Sequence, residues 1–185
     1  RSRRARRCDH GKTSVEHTTR QPRHLGLVPV ERQVVANAIV AAELTNCGSD
    51  AGELPTMLRA VKDNLGALPG QALADTGYRS EAVFEQLARS GCDLVVSLGR
   101  EGKQQLRFDP QRSPHTAAMA AKLQTNEGRA AYRRRKWIAE PPNGWIKNVL
   151  GFRQFSVRGL KKAQAEWKLV CLALNLRRMG AMIAV

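Results

Sequence analysis

Two carboxylates stand out for the company they keep. Glu140 lies in the stretch AYRRRKWIAEPPNGWIK, where arginine and lysine crowd around it. A carboxylate among cations is an odd choice for a solvated surface. It makes sense where the cations face a polyanion and the carboxylate holds a metal ion. Asp75 closes the short run QALAD and is followed by Thr-Gly-Tyr. A small apolar run ending on Asp places that side chain at the carboxyl end of a strand, where it projects into a crevice. Each residue also has an ordinary explanation. Asp75 can close an Asx turn onto the backbone of Thr76 and Gly77. Glu140 can pair with Arg135 or Lys136, and Lys147, two helical turns beyond Glu140, can be a solvated lysine.

The charge around these residues is unevenly spread. The 185-residue chain carries a formal net charge of +15, with a pI of about 10.7. Residues 1–24 hold eight Lys/Arg against two Asp/Glu, and residues 129–178 hold thirteen against two. Residues 25–128 hold ten against twelve. Positive charge gathered at two ends favours a phosphate backbone through counterion release; the plain alternative is a solvated basic surface. No apolar run reaches the length of a membrane span, and no apolar stretch follows the basic N-terminus as a signal peptide requires. Cys8, Cys47, Cys92 and Cys171 are scattered without a CxxC, which points to a reducing, cytoplasmic setting. Cys8, His10, His17 and His24 can be read as zinc ligands, but their spacing matches no common finger.

The elements that must position these groups follow from periodicity. Residues 1–32 show none and read as a basic arm. Gln33 to Leu44 is β-branched and apolar and reads as one strand, or two joined at Asn37. Ser49 or Asp50 can cap a helix, with Glu53 completing a capping box. Leu54, Met57, Leu58, Val61 and Leu65 then recur at helical spacing, and Gly66 to Gly70 stops the helix. QALAD is a strand, Ser80 to Ala88 a helix and Asp93 to Leu98 a buried strand. The alternation argues for an α/β sheet. Residues 99–128 read as an excursion with a helix at His115 to Leu123. A helix runs from Gly128 into Glu140, and Pro141 and Pro142 should interrupt it. After the loop of Gly151 to Phe155, a last helix spans Leu160 to Met179, its inner face formed by Ala163, Trp167, Val170, Cys171 and Leu174. Trp145 and Trp167 are expected to pack rather than to stack on bases.

These stretches together bring a family into view. ADTGYRSE at 74–81 resembles the second-aspartate motif of bacterial insertion-sequence transposases of the DDE class, and AEPPNGWIK at 139–147 resembles their glutamate motif. GFRQFSVRGLKKAQAEWKLVCLALNLRRM at 151–179 is similar to the segment that follows, and IVAAELTNCGSDAGELPTML at 39–58 is similar to the strand, turn and helix between their two aspartates. The likeness covers about Gln33 to Met179, roughly four-fifths of the chain. It implies an α/β, ribonuclease H-like mixed sheet flanked by helices, incomplete at its N-terminal strand. It implies cleavage and strand transfer of double-stranded DNA at transposon ends and target, by a bacterial, nucleoid-associated protein that oligomerises on DNA. It also implies two Mg²⁺ or Mn²⁺ ions, about 3.5–4 Å apart, held by three carboxylates on the scissile phosphate.

Carried onto this chain, the resemblance makes Asp75 the second catalytic aspartate and Glu140 the glutamate, both metal ligands. It assigns DNA contact to Lys147. The basic run Arg133, Arg134, Arg135 and Lys136 is similar to the family's segment before its glutamate. Arg153, Arg158, Lys161 and Lys162 extend the expected DNA surface. The first aspartate has no counterpart in the expected motif; Asp9 is the only aspartate before Asp50 and the remaining candidate. The break in texture near Gln33, and a chain that begins with Arg, lead to the expectation of a shifted reading frame or a fragment. Two rivals stand beside an active transposase domain. One is a catalytically inactive DNA-binding remnant, the other a basic RNA-binding protein.

Overall fold

A computed structural model describes residues 38–99 and 108–183. The basic arm, Asp9 and the zinc reading of Cys8, His10, His17 and His24 lie outside the described residues. In chain order the elements are α1 (Leu54–Leu65), β1 (Gln71–Ala74), α2 (Glu81–Leu87), β2 (Asp93–Val96), α3 (Pro114–Gln124), α4 (Asn126–Asn148) and α5 (Leu160–Ile183). A single 3-10 turn, Thr76–Tyr78, follows β1. The strands are parallel, with Gln71 opposite Asp93 and Ala74 opposite Val96. The class is mixed α/β, and the described sheet stops at two strands, short of the larger sheet expected.

The missing pairing concerns the apolar run before Asn46. Among its described residues there is an isolated bridge at Ala41 and no strand of the sheet. Side-chain amides satisfy its backbone instead. Asn175 accepts the Ile39 N–H and donates to the Ile39 carbonyl, both at 2.8 Å. Gln164, three turns earlier on α5, accepts the Leu44 N–H and donates to the Ala42 carbonyl at 2.7 Å. Asn64 of α1 donates to the Val40 carbonyl at 2.7 Å. Lys168 pairs with Glu43 at 3.1 Å. The segment therefore lies along α5, and its apolar side chains divide between two clusters. Ile39 and Ala42 join Ile146, Trp167, Cys171 and Leu174, whereas Ala41 joins Met57 and Val61 of α1.

The main core lies around the sheet, where Ala72, Ala74, Leu94 and Val96 meet Leu54 and Leu58 of α1, Val83, Phe84 and Leu87 of α2, and Met119 of α3. α1 follows its pattern, burying Leu54, Met57, Leu58 and Val61. It ends at Gly66, whose φ of 78° suits glycine and whose N–H donates to the Lys62 carbonyl at 2.8 Å. Its start differs from the expected capping box. The helix begins at Leu54 with no side-chain cap, because Pro55 in the first turn needs no partner for a missing N–H.

Capping crosses between elements elsewhere. Ser80 stands at the N-cap of α2 without a side-chain bond. Glu81 reaches across to α3, accepting the N–H groups of His115 and Thr116 at 2.8 Å and the Thr116 hydroxyl at 2.6 Å. Thr125 joins α3 to α4, since its hydroxyl donates to Lys122 O at 2.8 Å and accepts the Gly128 N–H at 2.9 Å. The corner is so tight that a Cβ at Gly128 would stand 2.0 Å from the Lys122 carbonyl oxygen.

α4 runs unbroken through Pro141 and Pro142, contrary to expectation. Two prolines forfeit two backbone donors. Burial of the Pro142 ring, among the least exposed side chains of the chain, offsets that loss. Asn143 also donates through its side chain to the Ala139 carbonyl at 3.0 Å.

Replacing Gln164 or Asn175 with Ala should leave backbone groups of residues 39–44 unpaired. Each substitution should cost about 1–3 kcal/mol in urea unfolding; wild-type midpoints for both would disprove the clasp. Glu81 makes a second, pH-dependent case. Burial opposes its charge, but the Thr116 hydroxyl, the two backbone N–H groups and the nearby His115 prevail and hold its carboxyl below the ordinary 4.5. Its contribution is complete above that value and is lost as pH falls through the lower folded one. Glu81→Gln should therefore be less stable than the parent by about 1–2 kcal/mol at pH 7, with the gap closing in acid. A gap independent of pH would count against this account.

Candidate functional site

Asp75 directly follows β1 and is exposed at the carboxyl end of that strand. Its Oδ1 accepts the Gly77 N–H at 2.9 Å, closing an Asx turn over the 3-10 turn. A second carboxylate is close by. A Cβ built on Gly77 would lie 3.0 Å from Asp75 Oδ1 and 3.3 Å from Asp50 Oδ2, so Gly77 leaves room for both groups. Burial first, and then the charges of Asp50, Asp75 and Glu53, push the Tyr78 phenol far above its ordinary value. The Tyr78 hydroxyl therefore stays protonated beside a concentration of negative charge.

Glu140 is exposed on α4. That helix packs against both strands and against α3 and α5. One and a half turns before Glu140, Arg134 donates to Gln71 Oε1 at 2.8 Å, at the amino end of β1. Gln71 in turn donates to Asp93 Oδ2 at 2.7 Å, and Lys122 bonds Asp93 Oδ1 and, at 2.8 Å, the Leu94 carbonyl. Burial opposes the charge on Asp93, but the bonds from Lys122 and Gln71 hold its carboxyl below the ordinary range. Arg134 thus helps fasten α4 to the sheet.

The other expected DNA contacts are mostly outward. Arg133, Lys136, Lys147, Arg153, Arg158, Lys161 and Lys162 are exposed. Arg135 is half-buried, with its guanidinium 5.4 Å from the Tyr132 ring centroid and a buried Nε that has no hydrogen-bond partner. Trp167 is 1% exposed and packs near Phe152. Trp145 is more open, with the Arg177 guanidinium 5.0 Å from its ring centroid.

Sequence reasoning missed Glu166. Its two oxygens accept the Ser156 N–H at 3.0 Å, and Oε1 accepts the Ser156 hydroxyl at 2.5 Å. These bonds tie the loop that carries Arg153 and Arg158 to α5. Gly151 and Gly159, at φ 68° and 90°, bracket that loop with left-handed turns. The Ser156 hydroxyl foremost, helped by the N–H groups of Ser156 and Val157, holds the Glu166 carboxyl below its ordinary value. The available signal was a carboxylate persisting inside the most basic stretch of the chain. Asp50 was missed as a neighbour of Asp75 because 24 intervening residues separate them and only the fold joins them.

Among the described residues no group of three or more His, Cys, Asp and Glu side chains is placed to hold a metal ion. The two-ion arrangement implied by the resemblance is therefore not assembled there. No helix among the described residues is long and apolar enough to cross a membrane.

An α/β domain that keeps two exposed carboxylates and an outward field of cations suits a polyanionic partner. Comparison with known proteins gives the class a family. Residues 73–180 match the family described as the transposase DDE domain. The match runs from within β1 into α5, over more than half of the chain, and the chain belongs to this family. No curated protein and no solved structure matches it.

The Glu166 tether has a direct test. Glu166→Gln should free the loop, so that trypsin cleaves after Arg153 and Arg158 faster than in the parent at neutral pH. Equal cleavage rates would show that the loop is held by other contacts.

Proposed function

We propose that this chain acts on double-stranded DNA in transposition, with Asp75 and Glu140 as the carboxylates of the cleavage site. The reading is carried by one observation. Within the family match, Asp75 stands at the carboxyl end of β1 and Glu140 stands on α4, the helix that packs across both strands. A carboxylate at a strand's carboxyl end projects toward the crevice where ligands of α/β sheets bind. Arg133, Lys136 and Lys147 on α4, with Arg153, Arg158, Lys161 and Lys162 on and after the tethered loop, supply exposed cations for the phosphate backbone. Arg134 and Arg135 serve the same surface from more constrained positions. The ribonuclease H-like architecture belongs to this proposal as well, with β1 and β2 as two strands of its sheet. The family's need for divalent ions extends to Mg²⁺ or Mn²⁺ here. The described residues do not complete a set of ligands, so no reaction step is routed through a metal.

A second reading is favoured by that same gap. With Asp75 engaged in an Asx turn and no group of three or more His, Cys, Asp and Glu placed to hold a metal among the described residues, the chain can be a DNA-binding remnant without cleavage. The two readings part in one experiment. Supercoiled plasmid is incubated with Mg²⁺ or Mn²⁺ and the parent chain, Asp75→Asn or Glu140→Gln, and DNA binding is followed in parallel by anisotropy. Metal-dependent nicking lost in both variants is the outcome expected of a complete site. Binding by all three proteins without nicking above background would establish the remnant instead.

A further inference from the structure

α5 is apolar on two opposite faces. Trp167, Cys171 and Leu174 point into the core, and Gln164, Lys168 and Asn175 beside them hold residues 39–44. At 100° per residue, Leu169, Leu172, Leu176, Met179 and Ile183 fall on the far side. They are 65%, 51%, 57%, 49% and 83% exposed. Their spacing alternates three and four residues, the repeat with which one helix packs into the holes of another. The stripe carries no charge. The two cations within it in sequence are turned away, Arg177 lying over the Trp145 ring and Arg178 having a buried Nη1.

This face is as large as the largest apolar patches that solitary proteins leave open. The five side chains expose roughly 600 Å², at the upper limit of the apolar patches found on monomers. An uncharged stripe offers nothing to DNA or to an acidic partner. It fits a helix with the same repeat and no charge of its own, and the nearest source of that helix is a second copy of this chain. Two such faces bury about 1,200 Å² together, which reaches the lower end of specific interfaces.

We propose that the outer face of α5, from Leu169 to Ile183, is the seam through which two copies of this chain pair, helix against helix. The inference does not rest on the DNA reading, because it uses the side of α5 that holds neither the loop nor the core. The test is sedimentation velocity of the full chain over about 1–100 µM, the range in which a modest interface is half-formed. The parent should pass from monomer to dimer, and Leu172→Lys with Leu176→Lys should remain a monomer with unchanged circular dichroism. If that variant fails to fold, Leu169→Ala with Leu176→Ala decides, with an expected weakening of about tenfold or more. A parent that stays monomeric, open-ended aggregation, or variants that associate as the parent does would overturn the proposal.

Discussion

A parallel pair of four-residue strands cannot stand alone, and the rest of the molecule answers to that constraint. Its outer edge at β2 is closed by α3, whose Met119 sulfur accepts the Val96 N–H at 3.4 Å and whose Lys122 caps the Leu94 carbonyl. Its amino end is locked by the chain of bonds from Arg134 through Gln71 and Asp93 to Lys122. α3 itself is positioned by Glu81 at one end and by Thr125 and Gly128 at the other. The sheet is small, so its stability is borrowed from helices that polar side chains hold in place. Asp75 stands exposed at the carboxyl end of β1.

The parts legible in the sequence were those governed by repeat and by punctuation. The α1 stripe, the QALAD strand, the α3 helix and the Trp167 face of α5 followed from spacing, and Gly66 marked a helix end. Three features did not follow, each for a physical reason. The apolar run before Asn46 has the composition of a strand, but the backbone partners of its described residues include side-chain amides of Asn64, Gln164 and Asn175, which no local pattern reports. Pro141 and Pro142 argue locally for a break, and burial of Pro142 overrides the argument. Glu81 lies in the first turn of α2, yet its carboxylate serves the start of α3. Of the proposed site, order and context singled out Asp75 and Glu140. Asp50 and Glu166 were not, because each matters through a contact made only in the folded chain.

Electrostatics divide the molecule into two territories. Asp50, Glu53 and Asp75 collect around Tyr78, and their charges add to burial in keeping that phenol protonated. The exposed residues of α4 include Arg129, Arg133, Arg134, Lys136 and Lys147 against the acids Glu127 and Glu140, and those of the 151–162 segment include Arg153, Arg158, Lys161 and Lys162 with no acid among them. Such separation costs self-repulsion on each side and is sustained only if each side is relieved by something of opposite sign. On the cationic side Glu166 is engaged with the backbone and hydroxyl of Ser156. The excess of Lys and Arg over Asp and Glu in residues 129–178 is the physical argument for a polyanion.

The acidic side poses the complementary problem. Two carboxylates flank one glycine, and a Cβ there would stand 3.0 Å from Asp75 Oδ1 and 3.3 Å from Asp50 Oδ2, so both groups would have to give way by a few tenths of an ångström. A side chain at residue 77 would press on both groups and loosen the Asx turn that orients Asp75. The turn at Gly77 orients Asp75 toward the space that Asp50 also borders. A cation drawn to the end of β1 would therefore meet Asp50 as well as Asp75, although the two are far apart in the chain.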